Sequence, residues 1–168
     1  MANRDKARAD TFQIRSLVKE DKPWVAGLLE EWWAGPQVVT RGRLHLADEL
    51  PGFKAILEGQ PAGLITYRIE GEECEIVTMN SLVERRGIGS ALIDTVKDVA
   101  TKSDCRRLWL IMTNDNTAAL WFYQKYGFAL VAVYRNAIEQ DRLLKPEIPL
   151  TGNDGIPLRD EIELEIRL

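Results

Sequence analysis

Two strand-like apolar runs enclose one amphipathic helix within residues 73–113, and a glycine-rich turn lies where the first run gives way to the helix. No other feature narrows the fold as far. Residues 73–83 contain Ile76, Val77, Thr78 and Val83, types that suit a pleated strand. Ile88, Leu92, Val96 and Val99 then recur at helical spacing, with Ala91 and Thr95 beside them. Leu108 to Met112 is an unbroken apolar run, the pattern of a strand buried on both faces. A strand, a helix and a second strand in this order are expected to form a crossover with parallel strands.

Gly87 and Gly89 sit at the strand-to-helix junction. Glycine lets the backbone turn sharply there and lets a ligand approach its N–H groups. A helix N-terminus has unpaired donors and a partial positive charge, which suit an anion. Arg85 and Arg86 add fork-shaped cationic donors. The turn therefore points to a phosphate or pyrophosphate; the competing reading is a plain glycine connection with two solvated arginines. Nucleotide loops fit poorly. Leu92 occupies the third glycine position of a dinucleotide fingerprint, and no Gly-Lys-Ser/Thr run exists.

A second segment follows the Leu108–Met112 run. Asn114, Asp115 and Asn116 interrupt it, and each can cap a helix. Ala118, Ala119, Phe122 and Tyr126 line one side of that helix. Gly127 ends it, and Phe128 opens another apolar run through Val133.

Taken together, the two segments resemble the GNAT superfamily of acyl-CoA-dependent N-acetyltransferases. The first is similar to that family's R/Q-x-x-G-x-G/A pyrophosphate loop, with Gly87 and Gly89 on the glycine positions. Glu84 stands at the leading Arg/Gln position, and the basic residues are shifted to Arg85 and Arg86. The second is similar to the family's N-x-x-A-x-x-x-Y...G-F segment, matched by Asn116, Ala119, Tyr123, Gly127 and Phe128.

The resemblance implies an α/β (α+β) GNAT fold: a mixed central sheet of about seven strands with flanking helices, whose splayed parallel pair forms an acyl-CoA cleft. It implies acetyl-CoA as co-substrate and no metal. The cofactor set it implies begins with the strand segment Val77, Met79, Asn80 and Ser81. Arg85, Arg86, Gly87, Ile88, Gly89 and Ser90 follow in the turn, and Asn116, Ala119 and Tyr123 on the second helix. Tyr123 matches the tyrosine that protonates the departing sulfur. Glu75 is the candidate base, with Glu73, Val77 and Met79 on the same strand face unless a bulge changes the parity. Trp33, Arg41 and His45 are candidate acceptor contacts. The implied reaction is direct attack of a primary amine, on a small molecule or peptide, on the acetyl thioester. A non-catalytic acetyl-CoA-binding module is the alternative.

Composition bounds the rest. A chain of 168 residues with 45% apolar residues suits one domain, expected over 11–168 after a flexible tail at 1–10. A net charge of −4 argues against a general nucleic-acid or anionic-membrane partner. Two cysteines without a CxxC and a single histidine make no metal framework, and a reduced cytoplasmic setting fits. A monomer or a homodimer is expected.

Along the chain, strands are expected at Phe12–Leu17, Phe53–Leu57, Leu64–Ile69, 73–83, 107–113 and 128–135. Helices are expected from Asp21 to Trp33, over 87–101 and 117–126, and in short form over Leu44–Leu50 and Ala137–Leu144. The 136–160 connection is long, and its three prolines suggest an ordered cover over the acceptor mouth. The closing EIELEIRL alternates strictly and reads as a strand with Glu161, Glu163 and Glu165 on a wet face.

Overall fold

Ile88, Leu92, Ile93, Val96 and Ala100 form one buried stripe on helix α2 (Ile88–Lys102). Burying each large side chain of that stripe contributes about 2 kcal/mol. The stripe packs on one face of a sheet, where Ile65, Cys74, Ile76, Leu108 and Leu110 complete a single core. The opposite face is covered by helix α1 (Lys22–Trp33), whose Val25, Leu28 and Leu29 meet Leu64 and Val77. The computed structural model describes residues 11–168; the expected flexible tail at 1–10 lies outside the described residues.

The strands are β1 (Gln13–Ser16), β2 (Gln37–Thr40), β3 (Arg43–Leu46), β4 (Gly52–Leu57), β5 (Gln60–Glu70), β6 (Glu73–Ser81), β7 (Arg107–Thr113), β8 (Ala129–Tyr134) and β9 (Glu161–Arg167). The remaining helices are α3 (Thr117–Tyr126) and α4 (Ala137–Leu144). Seven strands make one mixed sheet in the order β1-β4-β5-β6-β7-β9-β8. Among the described residues only β6 and β7 run parallel, as their connection through a crossover helix predicts. This is the mixed α+β sheet expected from the sequence.

Three readings need correction. The segment expected as a short helix over Leu44–Leu50 divides between strand β3 of a separate β2–β3 hairpin, through Leu46, and a brief 3-10 turn at Ala47–Glu49. Arg41 and Gly42 form its two-residue turn with φ of 49° and 70°, the left-handed pair that matches strand twist. Val38, Val39 and Thr40, all β-branched, are the local signal for a strand there.

Met79 does not share a face with Glu75 and Val77. A register shift in the β5–β6 pairing leaves Val77 as an extra residue between Ile76 and Thr78. The bulge reverses the parity, so Met79 packs toward the α2 core while Val77 packs toward α1.

Strand β9 has no wet face at its start. It pairs antiparallel with β7 on one side and β8 on the other. The hairpin turn and α4 supply partners above it, and Glu161 is 1% exposed and Glu163 5%. Arg107 donates to Glu163 and Glu165, and the Tyr134 hydroxyl donates to Glu163 at 2.6 Å.

Candidate active site

Parallel pairing of β6 with β7 runs from Glu73–Arg107 to Ile76–Leu110 and goes no further. Beyond it β6 bulges at Val77 and the two strands diverge. Strand β7 continues to pair with β9 as far as Thr113. Backbone groups of β6 that point away from β5 therefore have no ladder partner after Ile76, and they border a gap. A cavity of about 680 Å³ opens from this gap. Asn80 on β6, Ile111 to Thr113 on β7, and Asn116, Ala119 and Tyr123 from α3 line one part of it.

After β6, Gly87 caps α2 with φ of +73°, a conformation glycine adopts without strain. The first amides of α2 follow directly, so their N–H groups are free of intrahelical partners. Gly89 serves packing as well: a Cβ there would stand 3.1 Å from the Phe122 ring of α3. Small size at this position lets α2 and α3 approach. Arg85 has φ of +59° in the same turn.

On α3, Asn116 is the residue that caps the helix, its Oδ1 accepting from the Ala119 N–H at 3.1 Å. Tyr123 is 7% exposed, with its ring edge-on to Phe122 and Phe128 at 5.4 Å. Burial pushes its phenol well above the ordinary value, so the hydroxyl keeps its proton throughout the neutral range.

The residues expected as acceptor contacts separate into two groups. Trp33 lines the cavity and donates from Nε1 to Asn80 Oδ1 at 2.8 Å, tying α1 to β6. Its neighbour Trp32 lines the rim and is largely exposed. His45 and Arg41 stand behind the wall. The His45 Nε2 lies 2.8 Å from Thr40 Oγ1, and burial pulls the ring down to about 4, so it is neutral at pH 7. Arg41 turns its guanidinium onto the Tyr134 ring, 3.3 Å from the centroid, and toward Glu161.

Glu75 is 2% exposed and faces the same network from the other side. It accepts from Thr40 Oγ1 at 2.5 Å and from Arg68 Nε at 2.9 Å. It borders a small separate cavity with Arg68 and Trp109, whereas Thr40 is the member of this group on the large cavity wall. Burial raises the Glu75 carboxyl, and Thr40 and Arg68 partly oppose that rise.

Long-range contacts bring in residues with no local signature. From α4 and the segment after it, Ile138, Asp141, Lys145, Ile148, Pro149 and Leu158 roof the cavity. Arg142 ties this roof together by donating to the carbonyls of Ile148, Pro149 and Leu158. The Lys145 ammonium donates to the Trp33 and Gln37 carbonyls, anchoring the roof to the C-terminal end of α1. Neither cysteine reaches the cavity. Both are buried and free, and burial pushes Cys74 up to about 12, which keeps it a thiol. No cluster of potential metal ligands occurs among the described residues. No helix among them is long and apolar enough to cross a membrane.

Comparison with known proteins agrees with this architecture. The model of the acetyltransferase (GNAT) family matches residues 11–128. The chain is 46% identical over 131 residues to the uncharacterized protein YdhI of Bacillus subtilis (strain 168), covering 77% of this chain and 82% of the relative. Among solved structures it is similar to an IAA acetyltransferase from Bacillus cereus ATCC 14579, with a TM-score of 0.69 and 18% identity over 94% of this chain and 100% of that one. A GNAT family acetyltransferase from Elizabethkingia anophelis with acetyl-CoA bound superimposes with a TM-score of 0.65 and 20% identity, over 95% of this chain and 99% of that one. With its family signature spanning both the glycine turn and the α3 motif, the chain belongs to the acetyltransferase (GNAT) family.

Proposed function

We propose that the protein transfers an acetyl group from acetyl-CoA to a primary amine of a small molecule or peptide, by direct attack. One observation supports this most: the gap between β6 and β7 opens into a cavity lined by Tyr123, and α2, which begins just after β6, packs closely on α3 where Gly89 meets Phe122. In this reading the amides of Gly87, Ile88, Gly89 and Ser90 hold the pyrophosphate, with Arg85 and Arg86 adding charge. The free edge of β6, Val77 to Ser81, pairs with the pantetheine amides. Asn116 and Ala119 bound the far side of the thiol.

The chemistry needs three proton or charge events. The amine nitrogen attacks the thioester carbon, and the carbonyl electrons move to oxygen. An N–H of the free β6 edge is available to that oxyanion. As the C–S bond breaks, sulfur takes the electron pair and Tyr123 donates its proton to it. A thiolate leaving in the same desolvated cleft is raised by the same cause that raises the phenol, so the two stay matched. The amine loses its proton to Glu75 through the Thr40 hydroxyl, which stands between them.

Thiol release from acetyl-CoA with a panel of primary amines tests the reaction. Acetyl-CoA binding without thiol release for any amine would favour the non-catalytic alternative. The relay has its own test. Glu75→Gln is expected to depress the acidic limb of the rate profile and to regain much of the activity at high pH, where the amine is already neutral. Arg68 keeps Glu70 as a partner in that variant, which favours a folded protein. A loss that is uniform in pH would assign Glu75 to holding Thr40 and Arg68 in place.

A further inference from the structure

The roof of the cavity brings together two buried carboxyls and, among the described residues, one cation in contact with them. Asp141 of α4 is 2% exposed and lines the cavity beside Glu161 of β9. The two carboxyls interact directly: each lies within hydrogen-bonding reach of the other. The cation in contact with the pair is Arg41. Its backbone N–H donates to Glu161 Oε1 at 2.9 Å and its guanidinium lies 3.5 Å from Oε2. Arg41 therefore bonds Glu161 directly and acts on Asp141 only through its charge, one cation for two carboxyls. Tyr134 covers the guanidinium from β8 and is neutral at ordinary pH. The Gly42 amide assists Asp141 from the hairpin turn. Lys145, one turn beyond Asp141, spends its ammonium on the Trp33 and Gln37 carbonyls and has Glu30 and Glu147 as its acidic neighbours.

What remains is Asp141. Among the described residues no donor meets its buried Oδ2. A buried carboxylate oxygen without a donor is costly, and two physical states relieve the cost. A proton can lie between the two carboxyls, or a cation can enter from the cavity.

The geometry points to a cationic-amine subsite: Asp141 and Glu161 receive the acceptor's ammonium, which replaces the proton that the two carboxyls otherwise share. The proposal rests on the acetyltransferase reading for its role and on the carboxyl pair for its chemistry. Trp33, Val38, Ile111, Ile138, Ile148 and Leu158 give the same cavity apolar walls. The acceptor class is therefore a primary ammonium on a compact apolar or aromatic body. An ammonium answers both the unpartnered oxygen and the excess negative charge, where a neutral donor answers only the first, and the apolar wall favours the rest of such a molecule. Once bound, the ammonium still has to lose a proton before attack, and that step belongs to the Thr40–Glu75 route.

Titration agrees with the exchange. Burial first, and Asp141 beside it, push the Glu161 carboxyl from 4.5 up to about 7. The folded state thus holds a proton on the pair that the unfolded chain has already released. Because the folded value is the higher one, the stability due to this proton is present at low pH and is lost as pH rises from 4.5 through about 7. An ammonium bound above that range restores what deprotonation removes.

Phenethylamine and its uncharged counterpart phenethyl alcohol are suitable probes, used on the full chain by calorimetry and thermal shift. At about pH 8 the amine is expected to bind at least tenfold more tightly than the alcohol, by the strength of charge-assisted hydrogen bonds. At about pH 6, calorimetry in two buffers of different ionisation enthalpy is expected to show about one proton released per amine bound. Asp141→Asn and Glu161→Gln should each remove the preference for the amine and the proton release. Both should leave acetyl-CoA affinity unchanged, and Glu161→Gln should flatten the fall of thermal midpoint between mildly acidic and neutral pH.

Equal binding of amine and alcohol, or no binding of either, overturns the subsite. So does an amine preference that survives both substitutions. These readouts on the wild-type protein stand even where a variant fails to fold. Failure of acetyl-CoA to bind, with the amine preference intact, would overturn the acetyltransferase reading and leave the subsite standing.

Discussion

Tyr123→Phe is expected to lower turnover about 10²-fold while leaving acetyl-CoA affinity nearly unchanged, the low end of general-acid effects. The substitution removes one oxygen and keeps the ring. That ring sits between Phe122 and Phe128 and belongs to the main core, so its contacts with both rings are preserved. The hydroxyl carries its proton throughout the neutral range, because burial holds the phenol well above its usual range. The deficit should therefore be flat across the neutral range, unlike the pH-dependent loss expected for Glu75→Gln. Steady-state thiol release for both variants at several pH values separates the two roles. Wild-type turnover in Tyr123→Phe would mean that water or another group protonates the leaving thiolate.

Gly87→Val is expected to weaken acetyl-CoA binding by about 2 kcal/mol, or about 30-fold, measured by calorimetry. Two causes act together. A φ of +73° is strained for a β-branched residue, so the turn that aims the α2 amides is displaced. The added side chain also stands where the pyrophosphate would approach, because a Cβ at this position meets no protein atom within 4 Å. Gly87→Asn distinguishes them. Asparagine tolerates the left-handed conformation, so it should keep the amides aimed and lose less affinity. Unchanged affinity in a folded Gly87→Val protein would remove this turn from the cofactor site.

Both predictions concern elements that are legible in the sequence. The α2 stripe, the glycine junction, the buried β7 run and the Asn116 cap are local patterns, each set by neighbours within a few residues. Helix α4 is legible for the same reason. The β2–β3 hairpin is not, because Leu44, Leu46 and Leu50 also suit a helix. The left-handed pair at Arg41 and Gly42 decides the matter, and arginine gives little warning of a positive φ.

The acceptor side is far less legible. Glu161 alternates with apolar residues as any half-solvated strand residue would. It is buried because β9 enters between β7 and β8, and because α4 and the hairpin turn close over it. Asp141 carries no signal on a polar helix face. Its meaning lies in Glu161, far along the chain, and in a Lys145 that is committed to carbonyls of α1 and β2. The Val77 bulge likewise moves Met79 to the opposite face from Glu75.

By itself, then, the order of apolar periods and glycines determined the crossover, the parallel strand pair and the anion-suited helix end, since those depend on backbone geometry and short-range burial. Which carboxylates face the cavity, which cations remain to neutralise them, and where the parallel strands part were decided only by tertiary structure. Charge compensation in a buried site is a sum over groups far apart in the chain, and strand parity past a bulge depends on the partner strand's register.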